Sequence, residues 1–233
     1  MAIHYFLWNG ADSRNKNIRV QSRIEITKPE ERVQRVTIPG RSGEMTLTEG
    51  EDIYNSYIVT VEIGIDGLAN VRAAEKWLTG AGKVTFDNQP TLEQEARIYG
   101  SLGLRKHSRN VDRWKGSVQF YCSPIKRLKT ETAVTVTSSG TTISNDGDMT
   151  SFPKIKITGS GMVTVGCGGN ILTIPDCVSG WVIDSENQWI LNGNTPVEKA
   201  CSGAFPILKT GSNTVTFTGS VTKLEIEPRI RYL

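Results

Sequence analysis

The chain of 233 residues has two histidines and four cysteines, and neither type is grouped. His4 stands beside Tyr5 and Phe6, and His107 lies in a basic run with Arg105, Lys106 and Arg109. A serine hydrolase needs its imidazole next to a serine on a sharp, structured turn. Ser42, within Gly40-Arg41-Ser42-Gly43, lacks the flanking Gly-x-Ser-x-Gly pattern, so the sequence supports no such triad. Cys122, Cys167, Cys177 and Cys201 contain no Cys-x-x-Cys pair, which removes the usual zinc spacing. Cys122 shares strand parity with Trp114, Val118 and Phe120 and reads as a buried thiol. For the other three, reduced thiols are favoured over a disulfide, since nothing marks the chain as secreted.

Long apolar runs are absent too. No stretch approaches the ~18 residues of a membrane helix, and polar residues appear too early in positions 1–15 for a signal peptide. The expectation is a soluble protein with no membrane partner, made in the cytoplasm. The net charge is only +3, too small to make nucleic acid the main partner. It is unevenly spread: residues 1–132 hold 20 Lys+Arg and 16 Asp+Glu, and residues 133–233 hold 7 and 8. With the rise in Gly, Ser and Thr along the second half, this shift divides the chain into two expected domains, 1–132 and 133–233.

Helical periodicity is nearly missing. Only Val71, Ala74, Trp77 and Leu78 form an apolar stripe at spacings of three and four, predicting one helix from about Asn70 to Leu78. Asn70 is its expected N-cap, and Gly80 its left-handed stop. What the chain has instead is alternation. Tyr57, Val59, Val61, Ile63 and Ile65 fall on one side of a strand, and a period of two marks a half-buried antiparallel sheet. Ile18, Val20, Ile24 and Ile26 alternate likewise. Pro39-Gly40-Arg41-Ser42-Gly43 makes a tight turn carrying an exposed charge. Ala96, Ile98, Leu102 and Leu104 share parity around a bulge at Gly100. Residues 105–113 read as a long basic hairpin loop, Trp114 to Cys122 as the closing strand, and Pro124 as its stop.

The second half opens with a turn-rich connector over residues 129–151, in which Val134 and Val136 form an edge strand. Short strands follow at Ile155-Ile157, Val163-Val165, Ile171–Ile174, Trp181-Ile183, Trp189-Leu191, Val215-Phe217 and Leu224-Ile226. Gly159-Ser160-Gly161 reads as one of the separating turns, since it lacks the third glycine and the helix of a dinucleotide site. Short strands with no helix between them imply an antiparallel sandwich. The fold class is therefore mainly β: two antiparallel β-sandwich domains, the first with one covering α-helix. Arg229 and Arg231 alternate with Ile230 and Tyr232 in a last strand that belongs to the second domain or returns to the first.

Other chemistry is thin. Asp146 and Asp148 lack the remaining ligands of a calcium loop and read as an Asx turn. Asp176, Asp184 and Glu186 contain a candidate acid–base pair for glycoside hydrolysis, but 184–187 also read as a hairpin turn. Trp181 and Trp189 are candidates for stacking on sugar rings.

Four motifs in order carry a resemblance: Phe6-Leu7-Trp8-Asn9-Gly10; Val36-Thr37-Ile38-Pro39-Gly40-Arg41-Ser42-Gly43; Glu75-Lys76-Trp77-Leu78 followed by Trp114–Pro124; and Gly203–Asn213, with Phe205-Pro206-Ile207-Leu208. Together they resemble the distal tail proteins of phages with long non-contractile tails. The resemblance implies a hexameric ring of first domains joining the tail tube to the tail tip or baseplate, with DNA passing through the lumen without specific binding. It implies a galectin-like second domain of the compact type, a virion location, no reaction, no metal and no cofactor. Candidate ring contacts are Pro39, Gly40, Arg41, Arg105, Lys106, Arg109 and Arg113. The alternative is a carbohydrate-binding module attaching a virion or enzyme to a cell surface.

Overall fold

The computed structural model describes residues 4–48, 50–107, 110–197 and 201–233. The chain forms two compact units, one up to Lys129 and one over Thr130–Tyr232. Strands dominate both.

In the first unit, β1 (Phe6–Trp8) and β2 (Ala11–Asp12) form a hairpin. Its turn, Asn9 and Gly10, has φ of 50° and 77°, the left-handed pair a tight two-residue hairpin requires. Then come β3 (Ile18–Val20), β4 (Val33–Thr37), β5 (Glu44–Thr48), β6 (Tyr57–Asp66), α1 (Leu68–Trp77), β7 (Ala81–Phe86), β8 (Leu92–Lys106) and β9 (Arg113–Leu128). Seven strands make one antiparallel sheet in the order β2-β1-β7-β8-β9-β6-β3. Strands β8 and β9 run through both of its halves. Their ladder slips between Gln94 and Ala96 and between Tyr99 and Gly103, and Gly100 takes a φ of 69° at the second slip. These bulges curl the sheet over its own inner face.

The inner face holds the alternation read from sequence. Val59, Val61, Ile63 and Ile65 are buried beside Val118, Phe120 and Cys122. Phe120 is the hub of an aromatic cluster, with ring centroids 5.2 Å from Phe6, 5.6 Å from Trp8 and 5.7 Å from Phe86. Helix α1 covers this core with Val71, Ala74 and Leu78, and Trp77 stacks on Phe6 at 5.8 Å. The helix starts two residues before Asn70, with Gly67 at its N-cap and no side-chain cap of its own. Pro124 does not end β9; it sits in the first ladder slip, between the Gln94–Lys126 and Ala96–Cys122 pairs, where a missing N–H costs no ladder bond. Ile24 is buried but Ile26 is exposed, because β3 ends at Val20 and the strand periodicity ends with it.

The second unit contains β10 (Val134–Val136), β11 (Thr141–Asn145), β12 (Lys154–Cys167), β13 (Asn170–Cys177), β14 (Trp181–Asp184), β15 (Trp189–Asn192), β16 (Thr195–Pro196), β17 (Ser202–Gly203) and β18 (Gly211–Glu227). One nine-stranded sheet makes both layers of a sandwich. Strands β12 and β18 belong to both layers. The first half of β12 pairs with β14 and the end of β18, and its second half pairs with β13 and the start of β18. Gly159-Ser160-Gly161 is therefore a bend inside one strand, not a turn between two. Ile155, Ile157, Ile183, Leu224 and Ile226 from one layer meet Val163, Val165, Leu172, Ile174 and Val215 from the other. The connector reading of 129–151 also needs correction: β11 pairs with β18 and buries Ile143.

Candidate assembly surface

Among the described residues, strands β4 and β5 pair only with each other. Their hairpin projects without a sheet behind it. The register sets Val36 opposite Met45 and Gln34 opposite Leu47, and Arg35 opposite Thr46 and Thr37 opposite Glu44. Cross-strand partners point to the same face, so one face is apolar (Val36, Met45, Leu47) and the other polar. Met45 is 46% exposed and Leu47 43% exposed. The tip is Pro39, Gly40 and Arg41, all exposed, with Gly40 at φ 80° and the Arg41 N–H donating to the Ile38 carbonyl at 3.1 Å. The base is tied down: Arg32 N–H donates to the Ile53 carbonyl at 2.9 Å and Asn55 N–H to the Glu30 carbonyl at 2.7 Å. A lone two-stranded hairpin is at best marginally stable in water. This arm has the make-up of a segment completed by a partner.

The main sheet leaves open borders as well. Strand β7 covers β8 only from Gln94 to Arg97, so Tyr99–Lys106 has no ladder partner on that side among the described pairings. Strand β3 covers β6 only from Ile63 to Ile65, with Gln21 N–H reaching the Glu62 carbonyl at 2.9 Å. The first half of β6 pairs with β9 on one side and has no ladder partner on the other among the described pairings. Exposed Ile58, Tyr99 and Tyr121 lie on the outer face between these borders, the two tyrosine rings 6.0 Å apart.

The basic residues divide into two groups. Arg105 and Lys106 are exposed near the end of β8. Arg113 is engaged within its own unit: its Nε donates to Asp66 Oδ1 at 2.8 Å, while Arg19 donates to Asp66 Oδ2 at 2.6 Å. Arg113 holds the Asp66 carboxyl below its ordinary value. Arg109 lies outside the described residues. Neighbouring Asp112 supplies what α1 lacks: its Oδ2 accepts the Leu68 N–H at 3.0 Å and its Oδ1 the Trp114 Nε1–H at 2.9 Å. The Trp114 bond, then the Leu68 N–H, lowers the Asp112 carboxyl pKa. No local sequence signal marks this cap, since it comes from 44 residues away along the chain. Asp112→Ala is expected to fray the first turn of α1, read as faster amide exchange at residues 68–72. The contribution is present above the ordinary aspartate range and fades as pH falls through the lowered value.

The second unit offers less. Trp181 is buried at 4% exposure, a core residue of β14, which withdraws it from sugar stacking; Trp189 keeps a ring 53% exposed. Asp184 does form the hairpin turn, accepting the Glu186 and Asn187 N–H groups at 3.2 Å each. Arg229 donates to Asp184 at 2.7 Å and to Glu186 at 3.3 Å, so the two acids share one guanidinium. Carboxylates so engaged do not face a substrate as acid and base. Asp146 and Asp148 flank an Asx turn in which the Gly147 N–H donates to Asn145 Oδ1 at 3.0 Å. His4 Nδ1 lies 2.5 Å from Asp87 Oδ2. All four cysteines are free thiols; burial pushes Cys122 up to about 12 and Cys167 up to about 11, where both are inert. Among the described residues no cluster of three or more His, Cys, Asp or Glu is placed to hold a metal ion. None of their helices is long and apolar enough to cross a membrane.

No family model matches the sequence, and no curated protein sequence matches it. The fold does have a counterpart. The crystal structure of the Dit protein (gp 19.1) of phage SPP1 superposes with a TM-score of 0.76 over 100% of both chains, at 17% sequence identity. That protein is described as a paradigm of the hub adsorption apparatus in phages infecting Gram-positive bacteria. The chain has the fold of this phage distal tail protein from end to end.

Proposed function

We propose that this chain is the distal tail hub of a phage with a long non-contractile tail. Six copies close into a ring through residues 1–132 and join the tail tube to the tail tip or baseplate. Residues 133–233 carry the outward domain that holds other tail components. The protein acts by assembly, within the virion, and catalyses no reaction.

The full-length likeness in fold to the SPP1 hub protein carries this reading. The open borders support it independently. A closed ring needs two different, complementary surfaces on each subunit, and unpaired strand edges are ready templates for a neighbour. The uncovered sides of β8 and β6 are two such edges on one sheet. A lumen for DNA needs little net attraction, consistent with the low overall charge of +3.

Light scattering and negative-stain micrographs test the proposal. The expected result is a ring of six times the chain mass, alone or once tail-tube protein is added. A species that stays monomeric at high concentration in both settings would end it. The carbohydrate-binding reading rests on exposed Trp189 alone. It predicts selective glycan binding that Trp189→Ala abolishes and leaves ring mass untouched.

A further inference from the structure

The positive charge of the chain is gathered at one end of the first unit's sheet. Strand β6 ends at Asp66 opposite Arg113, β8 ends at Lys106 opposite Trp114, and β3 begins at Ile18 opposite Ile65. These strand ends and the turns joined to them therefore lie together. Counting only described residues, 12–19, 66–68 and 105–115 hold seven Lys+Arg and three Asp, a net of +4. Of the chain's 27 Lys+Arg and 24 Asp+Glu, the remaining 20 and 21 nearly cancel.

The three acids are already engaged. Asp12 accepts from Arg14 at 2.5 Å, Asp66 from Arg19 and Arg113 at 2.6 and 2.8 Å, and Asp112 from the Leu68 N–H and the Trp114 Nε1–H. Arg105 and Lys115 are exposed and stand directly opposite each other in the β8–β9 ladder. Like charges so placed destabilise a sheet, and neither meets an acid among the described residues. In the same row, past Gly64, comes Arg19. It lines a recess of about 990 Å³ along β3, together with Arg14, Arg23, Asn17, Gln21 and Asn70. That lining is mostly cationic and amide-bearing, which suits a carboxylate.

We propose that this basic strand end seats on an acidic face of an adjoining tail protein, with Arg105 and Lys115 against its carboxylates and an acidic loop entering the recess among Arg14, Arg19 and Arg23. This rests on the ring reading and names the chemistry of the hub's partner. Copies that meet side by side through their sheet borders leave the strand ends pointing along the ring axis, toward the next tail component. Opposite charge then sets which end of the hub meets it. A recess of this size, walled by amides as well as arginines, admits a peptide loop and not a DNA duplex.

Fluorescence anisotropy with labelled oligoglutamate and labelled duplex DNA tests this on the full-length protein. The parent is expected to bind oligoglutamate more tightly than DNA. Arg105→Gln with Lys115→Gln is expected to weaken that binding by roughly tenfold, the equivalent of two exposed charge contacts, and Arg23→Gln to weaken it further. Lys28→Gln with Lys129→Gln removes the same charge from exposed sites elsewhere and should leave binding unchanged. The first double variant should melt no lower than the parent, since its like-charge pair is gone; this separates lost binding from lost folding. Equal losses in the two double variants would overturn the proposal, because only net charge would then matter. Tighter binding of DNA would overturn it in favour of a nucleic-acid contact, and no binding of oligoglutamate would overturn it outright. Ring mass is read alongside by light scattering. Normal rings with any of these three results leave the hub function standing, and a parent that forms no ring with or without tail-tube protein removes both.

Discussion

Gly219→Ala is expected to unfold the bend that lets one sheet serve as both layers of the second unit. Gly219 has a φ of 93°, and a Cβ placed there would stand 2.2 Å from the Met162 carbonyl oxygen. That oxygen is backbone, in the slip between the Ser160–Ser220 and Thr164–Thr218 pairs, and moves only if the strand moves. On the opposite strand, a Cβ at Gly159 would come 2.5 Å from the Ser220 carbonyl oxygen. The two long strands thus touch backbone to backbone where their register slips. Positive φ alone costs an L-residue about 1–2 kcal/mol, and forced overpacking adds about 1–3 kcal/mol. Gly180→Ala separates these contributions, since Gly180 has a φ of 94° with nothing within 4 Å of its Cβ. Hydrogen exchange read on residues 154–167 and 211–227 should show Gly219→Ala losing protection well beyond Gly180→Ala. Equal effects would mean the close approach contributes nothing.

That bend also marks where sequence reading stops. Alternation is a local signal, so β6 and the core parity of Trp114–Cys122 are legible from the residues alone. The stripe of α1 is legible for the same reason. A continuous strand interrupted by glycines is not: Gly159-Ser160-Gly161 has the composition of a turn, and only the partner strand, itself bent at Gly219, reveals a single β12. Strand β11 carries one buried aliphatic residue, Ile143, among Thr and Ser. Its outer residues join Thr214, Thr216 and Thr218 of β18 on an uncharged face, a pattern that resembles a loop in composition. The assembly surface was legible at its tip, where Pro39–Gly43 demands a turn, and illegible along its length. Nothing in Val36, Met45 or Leu47 says that their face lacks a core. Arg113 was grouped with its basic neighbours because the sequence does not show Asp66 across the ladder. Trp181 and Trp189 look alike as letters; the parity of β14 and the start of β15 send one inward and the other out.

Arg229→Ala is the second large effect, and its signature is a loss that grows with pH. Asp184 is 4% exposed, and Arg229 grips both its oxygens, at 2.7 and 3.3 Å. Burial pushes the Asp184 carboxyl up, but the bonds from Arg229 and Asn187 outweigh it and hold the group below its ordinary value. In the parent, this carboxylate stabilises the fold fully above the ordinary aspartate pKa of about 4 and loses that contribution as pH falls through the lower folded value. Without the guanidinium, only the bonds from Asn187 still oppose burial. The folded pKa then rises from its parent value, and the carboxylate contributes less to folding at neutral pH. The parent–variant gap should therefore be small near pH 3 and widen to about 3 kcal/mol at pH 7, the cost of a buried charge stripped of its partner. Glu131 still accepts the Arg229 and Ile230 N–H groups at 2.7 and 2.8 Å, so the backbone path of the C-terminal segment survives the substitution. Asp184→Asn with Arg229→Leu removes both charges and should recover much of the loss at neutral pH. Urea unfolding of the three proteins across pH 3–7 measures this. A gap that does not change with pH would show that Arg229 acts through packing alone, and that Asp184 is not the charge it was placed to hold.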